Sequence, residues 1–202
     1  MKLVIIGAGG HARVVAESAM EAGWDIVGFL DDAKHPQLYD LQYLGKLEEF
    51  HIPTGVHAVI AIGSNRTREK IATRFTGQVQ WATIIHPKAI CSPRSNIEEG
   101  SVVLAGAVIQ AQAQVGKHCI VNTAASVDHD CEIGSYCHIA PHATLTGGVA
   151  LETGVFVGAG AVIIPYKSIG AWSILGAGSV CTKNLEADQT YVGTPAQALI
   201  RF

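Results

Sequence analysis

The sequence predicts two parts: a small parallel α/β unit of Rossmann-like type, followed by a parallel β-helix of hexapeptide repeats. Three observations predict it. Every sixth residue from Ile85 to Cys181 is apolar without a slip in register, and fifteen of these seventeen positions hold Ile, Val or Leu. The position four residues further on is small in nearly every repeat, as at Ala89, Ser95, Ser101, Ala107, Ala113, Cys119, Ala125 and Cys131. The residues before about position 80 lack this period and alternate short apolar runs with glycine turns and helical stretches.

A period of six fits neither a helix nor an amphipathic strand. It fits a triangular coil in which each hexapeptide makes one flat side, with the aliphatic residue filling the prism and the small residue at the corner. Three hexapeptides, 18 residues, close one coil, so the span 85–186 gives between five and six coils. At ~4.8 Å per rung the prism is roughly 25 Å tall. An exposed last rung would template further pairing, and the segment Leu185–Phe202, with Gly193-Thr194-Pro195-Ala196, is expected to cover it.

In the first part, Leu3–Ile6 reads as a central parallel strand. Gly7-Ala8-Gly9-Gly10-His11 follows, then a helix over Ala12–Ala22 with Val14, Val15 and Ala19 on its inner side, ended by Gly23. Ile26–Leu30 is a second strand, closed by Asp31-Asp32. Leu44-Gly45 reads as a link and Leu47–Phe50 as a short helix. Ala58–Ile62 is a third strand, ending at Gly63-Ser64-Asn65; Thr67–Phe75 is a helix and Val79–Ala82 a last strand. The boundary falls near 82, giving an α/β unit over 1–82 and a β-helix with its cap over 83–202.

Bulk composition excludes several classes. A formal net charge of −3 gives no basic surface for nucleic acid. The opening MKLVIIGAGG breaks at glycine like a buried strand rather than a leader, and no apolar run reaches the ~18 residues of a membrane span. A cytoplasmic protein is expected. The five cysteines fall on aliphatic positions (Cys91, Cys181) or small ones (Cys119, Cys131, Cys137), so they read as buried thiols. No C-x-x-C pair or H-E-x-x-H motif suggests a metal, and no G-x-S-x-G elbow suggests a serine hydrolase.

Gly7-x-Gly9-x-x-Ala12 matches a loose phosphate-binding fingerprint, with Asp31 and Asp32 about 20 residues on, where an acid can meet a ribose. A tight strand-to-helix turn explains the same glycines. The unit is short for an NAD domain, so a nucleotide or nucleotide-sugar suits it better than the rival reading, an NAD(P)-linked oxidoreductase. Among nine histidines, His129 falls two residues after the inward Val127 and His138 just before the inward Ile139, so both are expected to project from the prism. His129 has Asp128 and Asp130 beside it, and a carboxylate raises imidazole basicity and fixes its tautomer, as a general base requires. In an extended chain those acids point away from His129, so assistance needs a local bend or a neighbouring chain. His129 and His138 are nine residues apart, one and a half sides of a coil, and should leave the prism in different directions.

Together the two parts resemble the bacterial sugar O/N-acetyltransferases of the left-handed β-helix superfamily, which includes UDP-4-amino-sugar N-acetyltransferases and sialic-acid O-acetyltransferases. The likeness covers essentially the whole chain. It rests on Ile6-Gly-Ala-Gly-Gly-His11, Phe29-Leu-Asp-Asp32, Ile60-Ala-Ile-Gly-Ser-Asn65, Asn122-Thr123, Val127-Asp-His-Asp-Cys131, Tyr136-Cys-His-Ile139 and Val192-Gly-Thr-Pro-Ala196. The resemblance implies a left-handed coil, a homotrimer and acetyl-CoA as co-substrate, held between adjacent prisms. It implies Gly9, Gly10, His11, Asp31, Asp32 and Gly63 against the nucleotide-sugar acceptor. His129 would be the general base and Asp130 its assisting carboxylate. Acetyl-CoA would meet His138, Gly147, Ala159 and Ala177. The implied reaction is N-acetylation of a UDP-4-amino-4,6-dideoxy sugar for bacterial glycan biosynthesis. Sialic-acid-type O-acetylation, or nucleotide binding without catalysis, are its alternatives. Asp in place of Glu beside His129 departs from the family pattern and shortens the assisting side chain's reach.

Overall fold

The computed structural model describes residues 1–34 and 36–199. The first part is a five-stranded parallel sheet of β1 (Lys2–Ile6), β2 (Asp25–Leu30), β3 (Tyr43–Gly45), β4 (His57–Ile60) and β5 (Gln80–Trp81), in the order β3-β2-β1-β4-β5. Helix α1 (Gly10–Glu21) joins β1 to β2, and α2 (Asn65–Arg74) joins β4 to β5. Strand β1 is central and wholly buried from Leu3 to Ile6, as its unbroken apolar run requires.

Three details differ from the sequence reading. Helix α1 starts at Gly10, because Gly9 already has the extended backbone of a cap. Its buried stripe is Ala12, Val15, Ala16 and Ala19, the i, i+3, i+4, i+7 set; Val14 falls off it and is exposed. The expected helix at 47–50 is a turn. The preceding residues, Tyr43–Gly45, form an edge strand instead, and Asp32 ties Leu47 down by accepting its N–H at 2.9 Å.

The second part starts at Ile84 and makes a three-faced prism of two-residue rungs. Face 1 stacks rungs starting at 84, 102, 120, 138, 156, 174 and 190; face 2 those at 90, 108, 126, 144, 162 and 180; face 3 those at 96, 114, 132, 150 and 168. Successive rungs on a face are 18 residues apart and in parallel register, as at Ile120–His138 and Val121–Ile139, except at the last step of face 1, where Thr190 pairs with Ile174. The aliphatic ladder from Val103 to Cys181 fills the interior with Ala107, Ala113, Cys119, Cys131 and Cys137 at the small positions. Ile85 breaks the pattern: it is 38% exposed, because no coil lies above the first rung. Cys91 and Ile97 are half-buried for the same reason.

The far end is closed by a hairpin. Thr190–Val192 adds the last parallel rung of face 1, and Gln197–Ala198 pairs antiparallel to it. Leu185, Tyr191 and Ala196 plug the prism end. Residues 200–202 of the expected cap lie outside the described residues.

The α/β unit sits on the upper part of face 1. Ile84, Val102 and Leu104 of the prism join the core beneath α1 and the sheet. At the join, buried His86 accepts the Lys88 N–H with Nδ1 and points Nε2 at Glu21, 3.3 Å away. Among the described residues no helix is long and apolar enough to cross a membrane.

Candidate active site

Strand order places a topological switch between β1 and β4, since their connections leave to opposite sides. Loops after such strands diverge and open a crevice at the carboxyl ends, the usual ligand position in this fold. Here the crevice lies between Gly7–Gly10 and Ala61–Asn65. Gly7 must be glycine: its φ is +114°, and a Cβ would stand 2.9 Å from Ile62 Cγ1. Gly9 and Gly10 are exposed, with open space where a side chain would be, and no side chain caps the amino end of α1. Free N–H groups at a helix start favour an anion there.

Asp31 and Asp32 diverge in use. Asp31 accepts the Ala8 N–H with Oδ2 and the Ala33 N–H with Oδ1, both at 2.7 Å. It is the brace of the glycine loop. Asp32 uses Oδ1 on Leu47, and among the described residues nothing hydrogen-bonds its Oδ2.

His11 and Gly63 converge on His138. The His11 and His138 rings are 6.2 Å apart, and the Gly63 carbonyl is 3.3 Å from His138 Nδ1. His138 does point away from the prism, but the α/β unit covers it to 8% exposure, so the expected exposed ring is a buried one. Its tautomer follows from its partners. The Thr123 N–H donates to Asn122 Oδ1 at 2.8 Å, which turns the Asn122 amide nitrogen toward His138 Nε2, 3.0 Å away. Nε2 therefore accepts, and Nδ1 carries the proton and donates to Gly63. Phe156 packs edge-on against the ring. Burial, and then the nearby Arg68 guanidinium, push the His138 and His11 imidazoles down to about 4, so both are neutral at pH 7.

His129 lies in the opposite setting. It stands on the corner between faces 2 and 3, which is the corner opposite face 1. Its side chain is 53% exposed, and Nδ1 is 2.8 Å from Asp130 Oδ2. The bend that brings this carboxylate round is real: Asp130 has φ +57°, a left-handed corner conformation. Asp128 instead accepts the His129 backbone N–H at 2.8 Å. The bond to Asp130, with the charge of Asp128, raises the His129 imidazole above its ordinary value. With Nδ1–H held by Asp130, Nε2 is the free, basic nitrogen. Beneath it lies Gly147, where a Cβ would come within 2.6 Å of His129 Cε1 and Nε2.

One chain therefore divides the expected site residues among three places. His129, Asp130 and Gly147 share the corner of faces 2 and 3. Gly9, Gly10, His11, Gly63 and His138 gather over face 1. Ala159 and Ala177, one coil apart and exposed, lie on the corner of faces 1 and 2. Sequence reading missed Arg68, Asn65 and Phe156 and gave Asn122 no role. A signal for Arg68 existed: it lies on the 65/68/72 stripe that α2 buries. No group of three or more His, Cys, Asp or Glu among the described residues is placed to hold a metal.

A triangular prism of hexapeptide rungs with a small parallel α/β unit docked on one face defines the class of hexapeptide-repeat proteins that carry an appended α/β unit. Comparison narrows it. Residues 2–75 match the PglD N-terminal domain. The chain is 35% identical to a perosamine N-acetyltransferase from Caulobacter crescentus solved with CoA and GDP-perosamine. That match has a TM-score of 0.93 and covers 100% of this chain and 98% of the other. The acetyltransferase domain of PglB from Neisseria gonorrhoeae FA1090 is 37% identical, with a TM-score of 0.94, over 98% and 99% of the two chains. A UDP-N-acetylbacillosamine N-acetyltransferase from Bacillus subtilis (strain 168) is 39% identical over 111 residues, 51% of each chain. The matches thus span about half the length, or less, of the curated relatives: 20% in the case of uncharacterized protein L142 of Acanthamoeba polyphaga mimivirus. The chain belongs to the sugar N-acetyltransferases of the hexapeptide-repeat family.

Proposed function

We propose that the protein transfers acetyl from acetyl-CoA to the amine of a nucleotide-linked amino sugar, of the UDP-4-amino-4,6-dideoxy type, in bacterial glycan biosynthesis. The observation that carries this reading is the pairing of His129 Nδ1 with Asp130 at 2.8 Å on an exposed corner, leaving Nε2 free as a base. The acceptor amine attacks the thioester carbonyl carbon. His129 takes the amine's proton as the N–C bond forms; the C–S bond breaks, and that proton leaves with CoA as its thiol. Asp130 stabilises the imidazolium between the two transfers. The crevice between Gly7–Gly10 and Gly63 receives the acceptor, with its diphosphate at the start of α1. Acetyl-CoA runs past Gly147 of one prism and Ala159 and Ala177 of the next. Five cysteines, none in a disulfide, suit the reducing cytoplasm.

The same reading makes the working form a homotrimer. His129 stands on the corner opposite the crevice-bearing face, so a neighbouring chain supplies the base to each crevice. The outward ladder of face 2 is Ile90, Val108, Ser126, Thr144, Val162 and Val180, four aliphatic residues with two hydroxyls between them, and it is the face that such packing would cover; Ile90 is 67% exposed. Face 3 presents Asn96, Gln114 and Glu132 instead.

The test is CoA release with a panel of UDP- and GDP-linked amino sugars and their hydroxyl counterparts. Turnover with a UDP-4-amino sugar is expected. Turnover only with GDP-linked sugars would move the nucleoside assignment, turnover with hydroxyl acceptors would mean O-acetylation, and none at all would end the reading. Mixing inactive His129→Ala chains with inactive His138→Ala chains should restore activity, because some interfaces regain both residues. Mixed trimers that stay dead after verified exchange would exclude a shared site.

A further inference from the structure

The corner of faces 2 and 3 that carries His129 also carries a ring with no task so far. Each coil puts two residues there: His129-Asp130, then Gly147-Gly148, then Pro165-Tyr166. The second of each pair takes a left-handed backbone, with φ +57° for Asp130, +67° for Gly148 and +58° for Tyr166. That conformation is unfavourable for a bulky residue. Tyr166 is also 73% exposed, so burial of its ring does not offset the strain. Strain that local packing leaves uncompensated is a feature of functional positions, and this ring stands one coil below the glycine that meets the His129 imidazole.

The glycine pair is what brings ring and base together. His129 leans down onto it and Tyr166 leans up. A Cβ on Gly147 would stand 2.6 Å from His129 Cε1 and Nε2, and a Cβ on Gly148 would stand 2.5 and 2.6 Å from Tyr166 Cδ1 and Cε1. The backbone fixes both levels. The Gly148 N–H donates to the His129 carbonyl at 2.9 Å, and the Tyr166 N–H donates to the Gly147 carbonyl at 3.0 Å. His129 and Tyr166 are therefore the roof and floor of a notch two rungs high, roughly 10 Å between their backbones at ~4.8 Å per rung. Its back wall is the bare backbone of Gly147 and Gly148, and His129 Nε2 opens into it from above.

We propose that Tyr166 positions the acetyl donor: the sulfur end of the thioester arm lies across its ring, and that contact holds the carbonyl carbon level with His129 Nε2. This rests on the reading of the corner as the donor site. With a threefold axis along the prisms, equal coils of neighbouring chains stand side by side. Ala159, on the donor path of the next prism, lies in the same coil as Tyr166, so an arm that runs from Gly147 to Ala159 crosses in front of the ring. The opposite wall gives the arm nothing to lean on: Ala159 and Gly160 are exposed, and a Cβ on Gly160 would meet nothing within 4 Å. The chemistry fits, because sulfur and methylene groups pack favourably on an aromatic ring. Without the ring the arm sinks toward the Gly147–Gly148 backbone, and the carbonyl carbon moves away from an acceptor held in the neighbouring crevice.

Two variants probe the ring from different sides. Tyr166→Ala removes it. Gly148→Ala keeps it but puts a methyl 2.5 Å from Cδ1, so the ring must move aside; the left-handed turn itself accepts a side chain, as Asp130 and Gln112 show. Each should lower kcat/KM for acetyl-CoA by about 10–30-fold, within the ~10²-fold that a ~1 Å misplacement can cost. Acceptor KM and the acid limb of the pH profile should not move. Tyr166→Phe should keep wild-type rates. In the Tyr166→Ala background Gly148→Ala should add nothing, since both act through one ring. Wild-type rates in Tyr166→Ala, a Tyr166→Phe as damaged as Tyr166→Ala, or additive losses would each overturn the proposal. The donor is then shortened. S-acetyl-N-acetylcysteamine keeps only the sulfur end of the arm, and it should show the same fold-loss in Tyr166→Ala as acetyl-CoA does. A loss confined to acetyl-CoA would put the ring against the nucleotide half instead and overturn the assignment. Calorimetric titration of acetyl-CoA with no acceptor present separates the ring contact from the choice of sugar. Binding about tenfold weaker in Tyr166→Ala, on the scale of the kinetic loss, supports the contact even where no sugar is turned over. A wild type that does not bind acetyl-CoA ends the donor reading and the proposal with it. Should Tyr166→Ala break the trimer in light scattering, Gly148→Ala, which keeps the ring, decides.

Discussion

His129 and His138 are half a coil apart in sequence phase and opposite in every physical respect. His129 is on a corner in water, with a carboxylate drawn onto Nδ1 by a left-handed residue, and its imidazole is made more basic. His138 is on a flat face under a second domain, with an amide on Nε2 and a carbonyl on Nδ1, and its imidazole is held neutral. The lesson is that a β-helix sorts chemistry by hexad position. A corner can bend a neighbour's carboxylate back onto a side chain, because corner residues take positive φ, as Asp130, His142 and Tyr166 do. A flat rung cannot, so its side chains are tuned by whatever packs on the face. A base belongs on the first kind of position and an anchoring ring on the second.

The largest effect expected from breaking that contrast comes from His129→Ala. Losing a general base should lower turnover by about 10²–10⁴-fold, with acetyl-CoA affinity barely changed. Near-normal turnover would remove the corner histidine from the mechanism.

Gly147→Ala sharpens the same point without touching a polar atom. The new methyl would stand 2.6 Å from His129 Cε1 and Nε2, against a ring that has room to swing away into water. Displacing a reacting group by about 1 Å can cost up to ~10²-fold. A drop of about 10–10²-fold in kcat is expected, with the melting temperature little changed. Wild-type kcat would mean that the imidazole does not need its position over Gly147.

Asp130→Asn should act on the pH profile as well as the rate. The carboxylate raises the His129 imidazole, and the base works only when unprotonated. Wild-type turnover should therefore fall on the acid side at a pH above the ordinary histidine value. In Asp130→Asn that limb moves to lower pH, while the plateau falls about tenfold as the tautomer and its stabilising charge are lost. An acid limb that stays put would assign it to another group.

Much of this contrast is legible in the residues. The six-residue period sets the prism and its inward residues from Val103 onward, and the flanking acids single out His129. What sequence could not carry is what covers each face. His138 reads as exposed because its hexad slot points outward; only the docked α/β unit, held by Arg68 and Asn65, makes it a buried ring. Asp31 and Asp32 read alike, yet one braces Ala8 and the other ties down Leu47, because a strand end turns adjacent carboxylates to different sides. The turn at 47–50 was misread because its apolar residues, Leu47 and Phe50, pack on the sheet without a helical period to organise them.

The smallest effect on rate, none at neutral pH, is expected where the buried half of the contrast is probed by acid. His11, His118 and His138 sit at about 4 in the folded protein, against about 6.5 in an unfolded chain. Between those values the unfolded chain binds protons that the folded one refuses, so stability rises with pH across the window. It is complete above pH 6.5 and is lost as the pH falls toward 4, by about 1.4 kcal/mol per pH unit for each histidine at the steepest. Exposed His129 works the other way, since its raised imidazole gains stability on protonation, but solvent screening leaves that contribution small. Urea unfolding at pH 7 and pH 5 should show the loss, with the m-value unchanged if the fold is the same at both. Equal stability at the two pH values would mean that the rings beneath the α/β unit accept protons in place.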